Sequence, residues 1–403
     1  MLTLNELTQK YGAPDILIDS SCKNSNRYAA WGFKEIFEIK KNGCFINNKL
    51  IKGEPFSLLQ NFITQSKNNN NNKEVACIGF ISYEFKNIIY DHISFKNQGA
   101  DNFPLLWFCK PKLIKSYSEK NQIENSKESL IMIQDILSLS EYEEKIDLIK
   151  SHLKNGNVYQ INFTSKKKLK STFNNSFDLY NALQSKVKPK EGFFLHTNKF
   201  DILSFSPESF IKIDNGIIQT LPIKGTRARS INKTKDLALK KELIDSKKDK
   251  AEHLMIVDLL RNDLGKICEY GSINVTDLFN IKSYPTVHQM VSCIDGKLKS
   301  DTRYVDIFKA LCPGGSITGA PKESSMRIID RLEDYNREVY TGNIGYLDGD
   351  GNMHFNMAIR TMMIVENFIK YCVGGGIVWD SIAEDEWKEA QLKSKILDQF
   401  IRR

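Results

Sequence analysis

Four glutamates, one lysine and one glutamine, Glu208, Glu252, Glu386, Glu389, Lys224 and Gln160, stand in local patterns that could position a reactive group. Glu386, Glu389 and Lys393 fall at i, i+3 and i+7, a spacing that puts both carboxylates on one helical face. By spacing alone this is a surface charge ladder. With Gly374-Gly375-Gly376 just upstream, whose bare backbone admits close approach, the acidic pair also suits a hard cation such as magnesium. Glu252 opens the apolar stretch His253 to Leu260, which ends at Arg261-Asn262-Asp263-Leu264-Gly265. That pattern predicts a largely buried helix with a glycine stop and places a carboxylate near the interior. Lys224 lies between Ile223 and Gly225 instead of on a polar run, although its plain reading is an exposed turn lysine. Glu208 directly follows a strand-like segment, and Gln160 sits among apolar neighbours, where its ordinary role is a hydrogen-bonded strand residue.

These groups need elements to position them. Tyr142, Ile146, Ile149 and Leu153 recur at helical spacing, with Ser140 as N-cap and Gly156 closing the helix. Val158 to Thr164 then alternates as a strand, with Tyr159, Ile161 and Phe163 on one face and Val158, Gln160 and Asn162 on the other. The strands Ile202 to Ser206 and Gly216 to Leu221 flank a hairpin turn at Asp214-Asn215-Gly216. Pro313 to Lys322 is a glycine-rich turn feeding a helix near Pro321; it lacks the Gly-Lys-Ser/Thr of a nucleotide phosphate loop, yet its backbone N–H groups suit an anion. Ser381 to Phe400 reads as the last helix. Residues 1 to about 120 read as short strands such as Phe33 to Ile39 and Cys77 to Tyr83, broken by turn signals. Asn68 to Asn72 reads as a loop tip and Glu119 to Lys127 as a connector; these are the candidate boundaries.

Composition excludes several classes. In 403 residues, 41% hydrophobic content supplies a large core, so global disorder is a poor description. The net charge of +8 suits anionic ligands, but it is spread over short runs such as Lys166-Lys167-Lys168 and Lys247-Lys248-Asp249-Lys250, which read as solvated faces. No reading motif or interleaved aromatics point to nucleic acid. Of eight cysteines the nearest pair, Cys293 and Cys312, is 19 positions apart, so no paired metal-ligand spacing exists and buried free thiols are expected. Neither a signal sequence nor a run of membrane-spanning length is visible, and a cytoplasmic protein is expected.

Seven segments, taken in order, resemble the chorismate-utilising family that includes anthranilate, aminodeoxychorismate, isochorismate and salicylate synthases. They are Gly156-Asn157-Val158-Tyr159-Gln160-Ile161-Asn162, Ser206-Pro207-Glu208, Pro222-Ile223-Lys224-Gly225-Thr226, Glu252 to Asp258, Ser316 to Lys322, Gly374-Gly375-Gly376 and Glu386-x-x-Glu389-x-x-x-Lys393, over residues 140 to 395. The resemblance implies an α+β fold of two antiparallel β-sheets packed face to face with helices outside. In it, residues 1–120 intertwine with a chorismate-binding catalytic region at 138–400. Related enzymes bind tryptophan in an N-terminal pocket, which would begin near Leu17-Ile18-Asp19-Ser20-Ser21; the sequence leaves that question open.

Within the family, members that add water carry a lysine where this chain has Gln160, so the resemblance implies ammonia as nucleophile. Lys224 stands where anthranilate synthases usually have alanine, and lysine there is the mark of the aminodeoxychorismate branch. The implied roles follow residue by residue. Glu252 and Glu386, with Glu389 nearby or through water, would hold Mg2+ against the ring carboxylate of chorismate. Arg360 and Tyr346, with backbone amides near Gly375 and Gly376, would grip the pyruvyl carboxylate, and Ser316, Thr318 and Thr226 would contact substrate. Glu208 would be the general acid, Lys224 a covalent nucleophile, and His288 an orienting group. No glutaminase half is visible, so a separate glutamine amidotransferase subunit would deliver ammonia. The competing readings are an anthranilate synthase component and a basic binding protein of the same fold without chemistry.

Overall fold

The computed structural model describes residues 1–20, 26–68, 74–101, 103–118, 129–284 and 287–401. The loop-tip residues 69–72, the connector 119–127, Ser21 and Cys22 lie outside them. One antiparallel ladder organises the chain. From the strand Gln160–Ser171 it passes through Phe368–Ile377, Thr361–Val365, Asp201–Ser206, Glu191–His196 and Ile16–Asp19 to the long strand Tyr28–Lys40. From there it continues through Leu106–Ser116, Val75–Ile81, Asn343–Asp348, Met353–Met357, Ser209–Asp214 and Ile217–Thr220 to Val287–Lys297. Ile223–Ala228 and Asn274–Ser283 also pair with that last strand. The ladder stays open, because its first and last strands do not pair with each other among the described residues.

Tyr28–Lys40 belongs to both halves, and a bulge between Phe33 and Glu35 marks where it passes from one to the other. The two halves pack against each other as sheets because their strands alternate. Phe193, Leu195 and Ile202 from one half meet Ile78, Phe80, Trp107 and Cys109 from the other in an inner core. Their neighbours in sequence point outward: Phe194, Leu203 and Phe205 join a second core, while Cys77, Ile81, Leu106 and Phe108 join a third. Each large apolar side chain so buried contributes on the order of 1.5–3 kcal/mol. Helices cover both outer cores, so the fold is the expected α+β sandwich.

Several local expectations shift. The helix expected to begin at Ser140 is Leu139–Lys154, capped by Ser138 and not Ser140, because Ser138 and Glu141 form a reciprocal capping box. Its buried Tyr142, Ile146 and Ile149 lie on the strand behind it, with the Tyr142 ring 5.4 Å from that of Phe163. The strand starts at Gln160, so Val158 and Tyr159 precede the alternation: Val158 is buried in the helix-side core with Ile161, while Tyr159 is exposed. The acidic-apolar helix is Lys247–Gly265, five residues longer at its start, with Ser246 as N-cap. Only one face is buried, and Gly265 stays inside the helix instead of turning it off. The last helix is shorter, Ala383–Ser394, followed by a 3-10 turn. The amino-terminal half also contains the helices Leu4–Tyr11 and Pro55–Asn68, the first too short to display a period. The hairpin turn holds, with Asn215 and Gly216 at φ 50° and 77°, but the strand it joins to Ile217–Thr220 is Ser209–Asp214 and not Asp201–Ser206, which pairs with Glu191–His196 and Thr361–Val365. Six cysteines are buried free thiols and Cys293 is half-buried. No helix among the described residues is long and apolar enough to cross a membrane.

Candidate active site

The strand Phe368–Ile377 pairs with Gln160–Ser171 so that Gly376 faces Asn162 and Gly374 faces Thr164. Glycine is required here by close approach. A Cβ on Gly376 would lie 2.8 Å from Gln160 Nε2 and 3.4 Å from Lys224 Nζ, and one on Gly375 would lie 3.4 Å from Glu386 Oε2 and 3.7 Å from Lys393 Nζ. The triglycine segment is therefore a wall against which side chains from three elements converge. Gln160 is fully buried, and both polar atoms of its amide lack a protein partner among the described residues. A buried amide left so is costly unless a ligand completes it.

Lys224 reaches the wall because its strand, Ile223–Ala228, carries a bulge between Lys224 and Thr226, with Gly225 at φ 77°. Bulges re-aim side chains in this way. Burial lowers the Lys224 pKa, opposed by the charges of Glu252 and Glu208. Glu208 is buried, and its backbone is held at both ends: its N–H donates to Ser206 Oγ at 3.1 Å and its carbonyl accepts from Met357 N–H at 3.0 Å. Burial pushes its carboxyl up to about 7 against the neighbouring charges of Lys224 and Lys190. Desolvation thus drives both groups toward their neutral forms.

Glu252 and Glu386 come from different helices, and burial raises the pKa of each; the charge of Glu386 adds to the rise at Glu252, and that of Glu389 to the rise at Glu386. Ser381 Oγ donates to Glu386 Oε1 at 2.7 Å. The Lys248 ammonium lies 3.9 Å from Glu252 Oε1 and 4.0 Å from Glu386 Oε1, so both carboxylates face one cation. Glu389 is more exposed and pairs with Lys393 at 2.7 Å, which holds its pKa down. Among the described residues no cluster of three or more acidic, histidine or cysteine side chains forms a complete metal cage. Two carboxylates nevertheless match what magnesium takes from a protein when waters and a substrate supply the rest.

The remaining candidates are distributed. Thr318 is buried, with its hydroxyl donating to Gly314 O at 2.9 Å and its carbonyl accepting from Asn162 N–H at 2.8 Å, so it shapes the turn beside the Gln160 strand. Ser316 is half-buried in the same turn and Thr226 is exposed. Arg360 is half-buried at φ 51° and makes no ion pair among the described residues. Tyr346 is not brought to this cluster: it stacks on His354 at 5.8 Å and meets Tyr28 edge-on at 5.7 Å, against the inner core. His288 has both ring nitrogens engaged, with Ser283 Oγ at 2.8 Å and Asp236 Oδ1 at 3.1 Å.

Three residues stand out that the motif reading passed over. His253, fully buried and 2.6 Å from Ser292 Oγ, has its pKa lowered to about 4 by burial and then by the Lys224 charge, so it packs beside the lysine without adding charge. Its adjacency to Glu252 was the available signal. Arg337, 1% exposed, donates to Ile317 O at 2.9 Å and Asn162 O at 2.7 Å while pairing with Glu333, which fastens the glycine-rich turn to the Gln160 strand. Lys248 belongs to a basic run that reads as solvated. No short-range pattern marked the last two.

A family model described as chorismate binding enzyme matches residues 13–399. Aminodeoxychorismate synthase component 1 of Klebsiella aerogenes is 39% identical over 266 residues, 66% of this chain and 58% of that protein. The match thus spans little more than half the length of that relative. Anthranilate synthase component 1 of Saccharolobus solfataricus is 32% identical over 338 residues, 80% of each chain. Among solved structures, anthranilate synthase component I from Streptococcus pneumoniae TIGR4 superposes with a TM-score of 0.80 at 25% identity, covering 94% of this chain and 93% of that one.

Proposed function

This chain belongs to the chorismate-binding enzyme family, and on that premise we propose that it aminates chorismate at C4 with ammonia, giving 4-amino-4-deoxychorismate with the enolpyruvyl group retained. The observation that carries this reading is the meeting of the Lys224 amine and the unpartnered Gln160 amide over Gly376, with Glu208 held near neutrality by burial.

Glu208 is the general acid. It gives its proton to the C4 hydroxyl, which leaves as water, while the neutral Lys224 amine bonds to C2 and the ring double bonds shift. Ammonia then bonds to C4, the double bonds shift back, and Lys224, still positively charged in the adduct, leaves C2 as a neutral amine, while the new C4 ammonium returns its extra proton to the Glu208 carboxylate. Gln160 orients ammonia, and being uncharged it leaves water unactivated. Arg360 takes the pyruvyl carboxylate, a task that suits a half-buried guanidinium with no ion pair among the described residues, with backbone N–H groups near Gly375 assisting. Glu252 and Glu386 would hold magnesium, with Glu389 behind them through water. Bound there, the ion would neutralise the ring carboxylate and polarise the ring. Tyr346 and His288 act outside this cluster as supports of the fold, and Ser316, Thr318 and Thr226 shape the site's rim.

Ammonia comes from a separate glutamine amidotransferase subunit; the component 1 naming of the relatives supports this. The buried free cysteines suit a reducing compartment such as the cytoplasm. Similarity to anthranilate synthase components favours one rival, release of pyruvate and anthranilate. Incubation with chorismate, magnesium and ammonium followed by mass-resolved chromatography separates the two. A dominant anthranilate product sinks the amination reading.

A further inference from the structure

Lys248 occupies the first turn of the helix Lys247–Gly265, one turn before Glu252, and its ammonium spans the gap between Glu252 and Glu386 at 3.9 and 4.0 Å. The carboxylates are 18% and 11% exposed, whereas the lysine side chain is 50% exposed. A mobile cation therefore sits at the open end of a desolvated acidic pair that has no other cation shared between both members among the described residues. Asp249, the next residue, pairs with Arg227 at 3.0 Å, and of the lysines in this basic run only Lys248 forms an ion pair among the described residues.

A divalent ion between the same oxygens and an ammonium 4 Å away repel strongly in a partly desolvated site, so one must yield. The lysine has somewhere to go. It lines a cavity of about 500 Å³ together with Tyr159, Trp379 and the exposed Asp380, whose carboxylate adds a negative charge to that lining. We propose that Lys248 is a place-holding counter-ion. It keeps the acidic faces of two helices together before magnesium arrives, and it swings outward into this cavity when the ion binds, so that its charge sets the magnesium concentration at which the site fills. The proposal rests on the reading of Glu252 and Glu386 as the magnesium ligands.

The test measures binding and not turnover. Mn2+ is titrated into the full substrate-free chain at low ionic strength, with free Mn2+ followed by electron paramagnetic resonance and Mg2+ competition run in parallel. Lys248→Met keeps the length and half-exposed stem without the charge, and should tighten Mn2+ by roughly three- to ten-fold, with a smaller salt dependence. Lys248→Arg should bind as wild type. Unchanged or weaker binding in Lys248→Met, while Glu252→Gln and Glu386→Gln lose the ion, overturns the place-holder and leaves the metal site standing. Binding unaffected by Glu252→Gln and Glu386→Gln, or no binding in any form, removes the metal site itself.

Discussion

Lys393 Nζ donates to the Gly374 carbonyl at 2.8 Å, which ties the acidic helix Ala383–Ser394 to the glycine strand. The expected charge ladder is thus divided: Glu389 and Lys393 form the surface pair, while Glu386 turns inward beside Gly375. The helix is anchored a second time by Trp387, whose Nε1 donates to Leu137 O at 2.8 Å. The position of Glu386 is therefore a property of two tertiary bonds.

Gly376→Ala should lower amination by roughly 100-fold, since its Cβ would lie 2.8 Å from Gln160 Nε2 and small misplacements at a reacting centre cost that much. Gly375→Ala, with its nearest contact at 3.4 Å, should lose far less. Steady-state kinetics of the two variants checks this, and equal losses would count against the convergence on Gly376.

Intact-mass analysis of enzyme mixed with chorismate and magnesium, without ammonia, should detect a substrate adduct that Lys224→Ala abolishes. Lys224 is partly buried at a strand bulge, so the variant should retain its circular dichroism spectrum. A persisting adduct removes the covalent role of Lys224.

The pH dependence follows from opposite shifts. Glu208, pushed up to about 7, must be protonated to act, so single-turnover adduct formation should fall as pH rises through about 7. It should fall again at low pH as Lys224 gains its proton. Lys190 lowers the Glu208 pKa, so Lys190→Met should move the alkaline limb to higher pH. A limb that stays in place or moves down contradicts the assignment of Glu208 as acid.

Breaking the buried Arg337–Glu333 pair should cost about 3–5 kcal/mol of stability in Arg337→Met, because Glu333 would keep an unpaired buried charge. The double variant Arg337→Met, Glu333→Gln should recover part of that loss in urea unfolding. Additive losses would mean that the pair is not the source of the stability.

Chelation of divalent ions should abolish turnover, and added magnesium should restore it in wild type but not in Glu252→Gln or Glu386→Gln. Turnover that survives thorough chelation would remove the metal from the proposal.

The candidate residues sit in short contiguous patterns: Lys224 beside Gly225, Glu208 after a strand, Gln160 in an alternating segment and Glu252 heading an apolar helix. Local pattern alone gave Lys224 and Gln160 ordinary structural readings, and only the family resemblance attached roles to them. Local signals located the Asn215-Gly216 turn and the free cysteines, since turns and thiol spacing depend on near neighbours, whereas the helix cap fell two residues earlier than Ser140. What the chain order could not express was which side chains meet across the ladder. Tyr346 and Arg360 are fourteen positions apart, yet strand pleat directs Tyr346 to Tyr28 and His354. Lys248 read as solvated, yet a helix from the far end of the chain brings Glu386 to it. By itself the sequence determined the chemical inventory and the elements that carry it, because those rest on residue type and local period. Only tertiary structure decided that the Lys224 amine and the Gln160 amide share one glycine wall and that one ammonium faces two carboxylates, because strand register and helix docking are set by burial of the whole core.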